Sequence, residues 1–352
     1  MTNGGAGRDM RGDERYSRQV LFRPLGAEGQ QRLAAGGALI VGCGALGSHA
    51  AELLVRCGVG EVRLVDRDFV EESNLHRQSL FREADAERGL PKAIAAAERL
   101  REINSQIRIE PFVEQVGADT IDRLAEGMAV IVDGTDNFDT RFLINDLALR
   151  DGLPWVYGAC VGAYGLSATI VPGRSPCLRC LIDSLSAAAG SETCDTAGII
   201  PPVPALIASI QAAEAIKILS GSLGAVSRDL IAVDLWDNSM QRFALDRDAL
   251  GRDCPACRRG IYEYLEGEKG TRSIVLCGRN AVQIQAKQAG GIDLEALASR
   301  LQSHGEVVRN RFLLRLSLQG ITLAVFSDGR AIVSGTSDPV RARTLYDRYV
   351  GS

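Results

Sequence analysis

Gly37-Ala-Leu-Ile-Val-Gly-Cys-Gly-Ala-Leu-Gly-Ser48 is an apolar run that leads into a turn with three glycines. The run predicts a buried strand, and the Ala- and Leu-rich residues after the turn predict a helix. A G-x-G-x-x-G turn between strand and helix lets the backbone approach a phosphate, while the helix N-terminus offers unpaired N–H groups. The stretch therefore predicts an α/β fold that binds a nucleotide. The loop residues that would face its phosphates are Gly42, Gly44, Ala45, Leu46 and Gly47.

The length of the chain, 352 residues, exceeds what one hydrophobic core usually fills, so we expect two domains. Residues 15–262 would form the larger, Rossmann-like domain, a mostly parallel sheet with helices on both faces. Residues 270–352 show strand alternation around short helical stretches, which predicts a small α+β domain. The Gly-rich, charged residues 1–14 predict a disordered leader.

Composition excludes several partner classes. The net charge of -4 and the 24% of charged residues are ordinary for a globular protein, so we expect neither nucleic acid nor membrane as a partner. The sequence indicates no signal peptide and no later apolar span of about 18 residues, which favours a cytoplasmic location.

An acid follows the second predicted strand, Glu61-Val-Arg-Leu-Val-Asp66. Dinucleotide folds place a ribose-binding carboxylate at this point, so Asp66 is a candidate acceptor for ribose hydroxyls. The alternative is a helix or turn cap.

Several polar residues between the second and third predicted strands distinguish the chain from a dehydrogenase. A hydride-transfer enzyme that binds a pyrophosphate diester does not need extra cations here, whereas a polyphosphate does. The residues concerned are Asp68, Asn74, Arg77, Gln78 and Lys92.

A buried strand, Ala129-Val-Ile-Val-Asp133, delivers Gly134-Thr-Asp-Asn137 to its carboxyl end. Ligands of parallel sheets bind at that edge, so Asp136 could hold magnesium beside a triphosphate, with Asn137 next to it. An Asp in such a turn is equally well placed as a helix N-cap, and local sequence does not separate the two uses.

Two Cys-x-x-Cys pairs, Cys177/Cys180 and Cys254/Cys257, predict a structural zinc site. Four thiolates close a tetrahedron and leave no open coordination position for catalysis. A redox-active pair is the less favoured alternative, because two separate pairs are present and neither follows the expected strand.

A further cysteine, Cys194, lies in a polar loop between the two pairs. Such a thiol is placed to act as a nucleophile or sulfur acceptor if nearby cations or a helix N-terminus lower its pKa. An idle surface or packing cysteine is the alternative.

In their order along the chain, these motifs resemble the ThiF/MoeB/HesA family, the bacterial relatives of ubiquitin-activating enzymes. The resemblance covers Arg15 to about Cys257, and residues 270–352 look like the C-terminal extension of a subset of ThiF-like proteins. Besides the two cysteine pairs, the motifs are Arg15-Tyr-Ser-Arg-Gln19, Gly42-Cys-Gly-Ala-Leu-Gly47, Asp66 to Gln78, Pro91-Lys92, Thr135-Asp-Asn137 and Thr193-Cys-Asp-Thr-Ala-Gly198.

The resemblance implies ATP- and magnesium-dependent adenylation of the C-terminal glycine of a small ubiquitin-fold sulfur carrier, ThiS- or MoaD-like, with release of pyrophosphate. The product would serve sulfur transfer in thiamine or molybdenum cofactor biosynthesis. Arg77, Lys92 and Asp136 would act on the phosphates. Arg18 would reach into the site of a second subunit, which implies a homodimer. Cys194 matches a cysteine that bonds to the carrier or to sulfur in some members.

Two departures from the family bear on sulfur chemistry. Gly134 stands where the family often has a cysteine, so chemistry assigned to that cysteine is not expected. No rhodanese-like stretch is found, so we expect a separate sulfur donor, a cysteine desulfurase or a rhodanese-like protein.

Three other functions stay open on the sequence alone. A peptide-modifying relative would adenylate a peptide, an idle scaffold would bind a ubiquitin-fold protein without turnover, and an NAD-dependent oxidoreductase would leave Lys92 and the cysteine pairs unexplained.

Overall fold

A computed structural model describes residues 14–185, 198–267, 274–276, 280–284 and 291–350. Cys194 and the predicted leader, apart from Glu14, lie outside these described residues. Two separate sheets are present, one of eight strands and one of six.

The large sheet has the strand order β3-β2-β1-β4-β5-β6-β7-β8. Neighbours from β3 to β5 pair in parallel, and those from β5 to β8 pair antiparallel. Its strands are β1 (Gly37–Val41), β2 (Glu61–Val65), β3 (Arg108–Phe112), β4 (Val130–Asp133), β5 (Trp155–Val161), β6 (Tyr164–Ile170), β7 (Asp229–Asp234) and β8 (Ser239–Ala244).

Helices cover both faces of this sheet, as predicted. Alternate residues of β1 belong to different cores: Ala38 and Ile40 lie in the hydrophobic core on one face of the sheet, and Leu39 and Val41 lie in the core on the other face. The helices are α1 (Ser17–Val20), α2 (Gly26–Ala35), α3 (Ala45–Cys57), α4 (Glu83–Glu87), α5 (Lys92–Ile103), α6 (Ile121–Ala125), α7 (Phe138–Asp151), α8 (Leu178–Leu185), α9 (Pro202–Leu219) and α10 (Arg247–Leu250). Short 3-10 turns cover Glu14–Tyr16, Glu72–Asn74 and Leu223–Ala225.

Strand order reverses between β1 and β4, whose following connections go to opposite sides of the sheet. In open α/β sheets, ligands bind at such a switch point, beyond the carboxyl ends of the strands. The glycine turn follows β1 and Gly134–Asn137 follows β4, so the fold brings both predicted ligand-binding turns to one edge.

Helix α9 corrects one sequence expectation. Its 18 residues are apolar and long enough to cross a membrane by length and composition, whereas no such span is predicted from the sequence. The helix packs on α3 and on β4, β5 and β6, and it carries the buried acid Glu214. These contacts are those of a core helix.

The second sheet is antiparallel, with the order β11-β12-β13-β14-β10-β9. Its helices α11 (Leu294–Leu301) and α12 (Pro339–Tyr349) pack on one face, which agrees with the predicted α+β composition. A hairpin turn at 327–330 joins two paired strands. The strands are β9 (Ile274–Leu276), β10 (Ala281–Ile284), β11 (Glu306–Arg309), β12 (Leu313–Leu318), β13 (Ile321–Phe326) and β14 (Ala331–Ser334).

The segment that follows the second cysteine pair still belongs to the large unit. The Tyr264 ring stacks on Phe142 of α7 at 4.9 Å between centroids, and the Tyr264 N–H donates to the Asp146 carboxylate at 3.0 Å. Packing on the large unit therefore extends beyond residue 262, the boundary that the sequence predicts.

Candidate active site

Close backbone contact explains two of the three glycines. Gly42 has a φ of +88°, and a Cβ there would lie 2.6 Å from the carbonyl oxygen of Gly134. A Cβ on Gly47 would lie 1.8 Å from the carbonyl oxygen of Gly42. The turns after β1 and β4 can pack this tightly only without side chains, so these glycines fix the shape of the edge.

Gly44 is different, because its surroundings are open. The nearest atom to a Cβ at Gly44 would be 3.8 Å away. Helix α3 starts at the next residue, Ala45, and directs the N–H groups of its first turn toward this space. In that first turn, the Ser48 hydroxyl is buried and has no hydrogen-bond partner among the described residues. An open helix N-terminus after a glycine turn fits a phosphate group.

Asp66 ties the strand β2 to the glycine turn. One carboxylate oxygen accepts from the Cys43 N–H at 2.7 Å, and the other accepts from the Asp68 N–H at 2.8 Å. Burial raises the pKa of Asp66, and the nearby Lys92 ammonium opposes that shift. The carboxylate thus acts as a turn cap, the alternative left open by the sequence, and its remaining lone pairs are those a ribose hydroxyl would use.

Lys92 lies beside these carboxylates. Its Nζ is 3.5 Å from Asp68 Oδ2, and the side chain is only 3% exposed. Its backbone N–H donates to the Asp68 carbonyl at 2.9 Å, next to a bridge between Phe69 and Pro91. Main-chain and side-chain contacts thus hold a buried ammonium at the carboxyl edge of the sheet, close to the glycine turn; we call this region the nucleotide edge. A phosphate bound there would need such a cation.

The 3-10 turn at 72–74 and the residues after it hold the other predicted phosphate ligands. Asn74 is buried and accepts from the Glu71 N–H at 3.2 Å. Oε1 of Gln78 is buried without a hydrogen-bond partner in the described part of the chain. The Arg77 guanidinium donates to the Ser73 carbonyl at 2.8 Å, so it folds back on its own turn.

The turn after β4 shows which residue caps α7. Asn137, not Asp136, is the N-cap of α7, and its side chain accepts from the Thr140 N–H at 2.9 Å. The cap interpretation of Asp136 is therefore wrong, since the neighbouring residue does that work. The Asp136 carboxylate is exposed at the carboxyl end of β4, a position open to a magnesium ion.

A buried ion pair under this turn was missed by sequence reasoning. Arg141 Nε donates to Asp133 Oδ2 at 3.0 Å, and Nη2 donates to the carbonyls of Thr135 and Gly158 at 2.8 and 3.0 Å. Burial lowers the pKa of Arg141, but the Asp133 carboxylate outweighs it and the net shift is upward. The pair fixes the backbone that carries Asp136. An acid at the end of an apolar strand was its only sequence signal.

In the N-terminal motif, Tyr16 and Gln19 anchor the chain to the large unit, whereas Arg18 lies on the surface. The buried Tyr16 hydroxyl accepts from Asn104 Nδ2 at 2.8 Å, and Gln19 donates to the Cys57 carbonyl at 2.9 Å. Arg18 is exposed on α1. Among the described residues, no hydrogen bond or ion pair joins the Arg18 side chain to the nucleotide edge.

The four predicted metal ligands do come together. The Sγ atom of Cys177 lies 3.7 Å from those of Cys180 and Cys254, and the Sγ atom of Cys180 lies 3.6 Å from that of Cys257. Tetrahedral Zn–S bonds of about 2.3 Å separate the sulfurs by about 3.8 Å. Burial raises the pKa of Cys257 to about 11, so a cation is needed to keep these thiols ionised. The cluster fits a closed zinc site.

A glycine turn at the switch point of a Rossmann-like sheet, combined with a four-cysteine cluster, is typical of one class of nucleotide-binding enzymes. The chain belongs to the ThiF family, which matches residues 16–256, and it is an adenylyltransferase.

Relatives support this assignment over different lengths. A sulfur carrier protein ThiS adenylyltransferase from Bacillus subtilis is 45% identical over 341 residues, 96% of this chain and 99% of the relative. A sulfur carrier protein adenylyltransferase from Thermus thermophilus is 35% identical over 69% of this chain and 90% of the relative. Among solved structures, MccB from E. coli has a TM-score of 0.58 over 67% of this chain and 72% of its own, at 23% identity; this likeness concerns the fold alone.

Proposed function

We propose that the enzyme transfers AMP from ATP to the C-terminal glycine carboxylate of a small ubiquitin-fold sulfur carrier and releases pyrophosphate. The observation that carries the proposal is the buried Lys92 ammonium beside an open glycine turn and helix N-terminus. The similarity to a ThiS adenylyltransferase over almost the whole chain supports a carrier protein as the second substrate. The activated carrier would deliver sulfur in thiamine or molybdenum cofactor biosynthesis.

The proposed roles follow from the charges of the two substrates. A carboxylate that attacks an α-phosphate meets a group of its own sign, so cations at the edge lower the barrier. Lys92 and Arg77 would supply them, with Gly44 to Gly47 holding phosphate through backbone N–H groups. Magnesium held by Asp136 would neutralise further phosphate charge.

The remaining polar residues of the edge would orient the nucleotide. Asp66 would accept from the ribose, and Asn74, Gln78 and Asn137 would line the phosphate and magnesium region. Arg77 needs only a change of side-chain rotamer to leave the Ser73 carbonyl, because its hydrogen bond there is local and exposed. The orphaned Gln78 oxygen is a buried acceptor that a ligand or a bound water could satisfy.

Exposed aromatic residues favour a protein as the acceptor. Phe138 follows the turn with Asp136, Tyr164 starts β6, and Trp236 lies in the turn between β7 and β8. The strand pairing puts all three positions at the carboxyl edge. Trp236 is 77% exposed. Aromatic side chains that stay in water beside a nucleotide site are typical of a surface for a macromolecular partner.

Homodimer formation is the second part of the proposal. Leu21 and Phe22 follow Arg18 directly and are 70% and 63% exposed. Burial of this apolar pair in a second subunit would carry Arg18 toward that subunit's nucleotide edge. Because each subunit would supply its Arg18 to the other, the dimer would be closed and two-fold symmetric.

Sulfur chemistry would follow adenylation. The Cys194 thiolate would either displace AMP from the carrier adenylate to form a thioester, or take the sulfane sulfur of a donor persulfide with release of the donor's thiol. The sulfur donor would be a separate cysteine desulfurase or rhodanese-like protein. Zinc on the four cysteines would be structural. Thiolate ligands persist in a reducing compartment, which agrees with the proposed cytoplasmic location.

The proposal is tested by exchange of labelled pyrophosphate into ATP. Exchange is expected only with a carrier ending in Gly-Gly, and a carrier that lacks the last glycine is the control. The variant Cys194→Ala should retain exchange and lose the later sulfur transfer. Absence of exchange with every carrier, or exchange with short peptides alone, contradicts the proposed substrate.

A further inference from the structure

The second sheet uses both of its faces. Along β13 and β14, Leu323, Val325 and Val333 point to the helices of their own unit. The alternate residues Phe326 and Ile332 pack with Phe69 of the large unit in a separate apolar cluster. Because side chains alternate across a strand, both patterns are part of the same strands. The second face is thus a docking face for the large unit.

Arg330 is the polar centre of this docking face. It lies in the turn between β13 and β14, is 7% exposed, and its guanidinium stacks 4.0 Å from the centroid of the Phe326 ring. Nη1 donates to the carbonyl of Arg67 at 3.0 Å, and Nη2 donates to that of Val113 at 3.5 Å. A buried guanidinium that donates to the main chain of another unit holds that main chain in a fixed position.

The accepting carbonyl belongs to the nucleotide edge. Arg67 is the middle residue of the turn in which Asp66 accepts from the Asp68 N–H. Asp66 also binds the glycine turn through the Cys43 N–H, and Asp68 binds Lys92. Movement of the Arg67 peptide would therefore move the two carboxylates that hold the glycine turn and the ammonium.

The C-terminal unit also binds the segment of the chain that precedes Lys92. Asn310 Nδ2 donates to the carbonyls of Arg88 and Gly89 at 2.9 and 3.0 Å. These residues end the segment just before Lys92. The second unit thus holds the chain on both sides of the Asp68–Lys92 pair, at Arg67 and at Gly89.

We propose that Arg330 is a positioning residue for the nucleotide site, through which the C-terminal unit sets the affinity for ATP. The proposal rests on the nucleotide edge of the proposed function. It does not depend on which protein is the acceptor. Arg330 touches no substrate in this arrangement and acts through the Asp66–Asp68 turn.

The test compares Arg330→Ala with Arg309→Ala in the full-length protein. Arg309 is a charge-matched control, because it pairs with Glu295 of its own unit at 2.8 Å. Binding of ATP with magnesium is measured by calorimetry without any carrier. Loss of hydrogen bonds from a charged donor should raise the Kd of Arg330→Ala roughly tenfold. In pyrophosphate exchange, the KM for ATP should rise in parallel while kcat stays within about twofold.

Arg330→Lys serves as rescue and as a second variant. Lysine keeps the charge and one donor for the Arg67 carbonyl, so the Kd should rise only about threefold. This variant decides the matter if Arg330→Ala does not fold. An unchanged Kd in the folded variants, or an equal rise in Arg309→Ala, overturns the proposal. If the wild-type protein itself binds no ATP, the proposed function fails instead, so the two failures are distinguishable.

Discussion

The two halves of the large sheet are built for different tasks. In the parallel half, β1 to β5, strand β1 is buried at every residue and its following turn packs against that of β4 without side chains. In the antiparallel half, β6 to β8, strand β8 is exposed at every residue. The start of β6 and the turn between β7 and β8 lie at the same edge as the glycine turn. The difference indicates a fixed site for a nucleotide beside an open surface for a macromolecule.

The largest expected effect comes from loss of the Lys92 ammonium in the parallel half. Lys92→Gln should lower the rate of pyrophosphate exchange by roughly 10²–10³, because a preorganised charge opposite the phosphates is lost. Arg108→Gln is the control: Arg108 starts β3, at the opposite end of the sheet, and its side chain is exposed. Equal exchange rates in wild type and Lys92→Gln would remove the reason for placing the triphosphate here.

An intermediate effect is expected from the antiparallel half. Trp236→Ala should raise the KM for the carrier roughly tenfold and leave the Kd for ATP unchanged, since an exposed aromatic anchor is lost while the glycine turn and Lys92 stay in place. Steady-state kinetics with varied carrier would show the change. Val340→Ala, at an equally exposed apolar position of the second unit, is the matched control. A parallel change in ATP affinity would mean that the halves are not separate in function.

The smallest effect concerns pH and Asp66. Burial raises the pKa of this carboxyl above 3.8, so the native state binds more protons than the unfolded state as pH rises through this range. The destabilising contribution is absent at low pH and complete above the folded-state pKa. Relative to wild type, Asp66→Asn should therefore become more stable as the pH rises above about 4, the usual pKa of an aspartate carboxyl. Urea unfolding of both proteins across this range measures the difference, and a constant or reversed difference contradicts the assigned burial.

Local motifs explain what the sequence could predict. The glycine turn, Lys92 at a helix start and the paired cysteines each lie within a few residues of the features that give them meaning, and the strand and helix around Gly42 are confirmed. The four thiols are brought together across the chain as predicted. Placement of the site at the carboxyl edge also followed from the order of strands and helices.

Long-range or weakly patterned features escaped prediction. Strand β8 has no alternation of burial, since it is exposed throughout. Arg141 lies on the helix after its partner's turn, and Arg330 lies more than 200 residues from the carbonyl it binds. A single arginine in a hairpin turn is typical of surface residues, so only the docked sheet gives it a role. Local sequence allowed Asp136 to be either the cap of α7 or a magnesium ligand, whereas the cap is the next residue, Asn137.

The cysteine cluster has a topological consequence. A metal held by both pairs would make residues 177–257 a closed ring within the chain, and this ring includes α9 and the strands β7 and β8. During synthesis the ring could not close until the second pair had left the ribosome, so the nucleotide-binding strands β1 to β5 would emerge long before it. One proteolytic cut inside the finished ring would leave both fragments attached to the same ion.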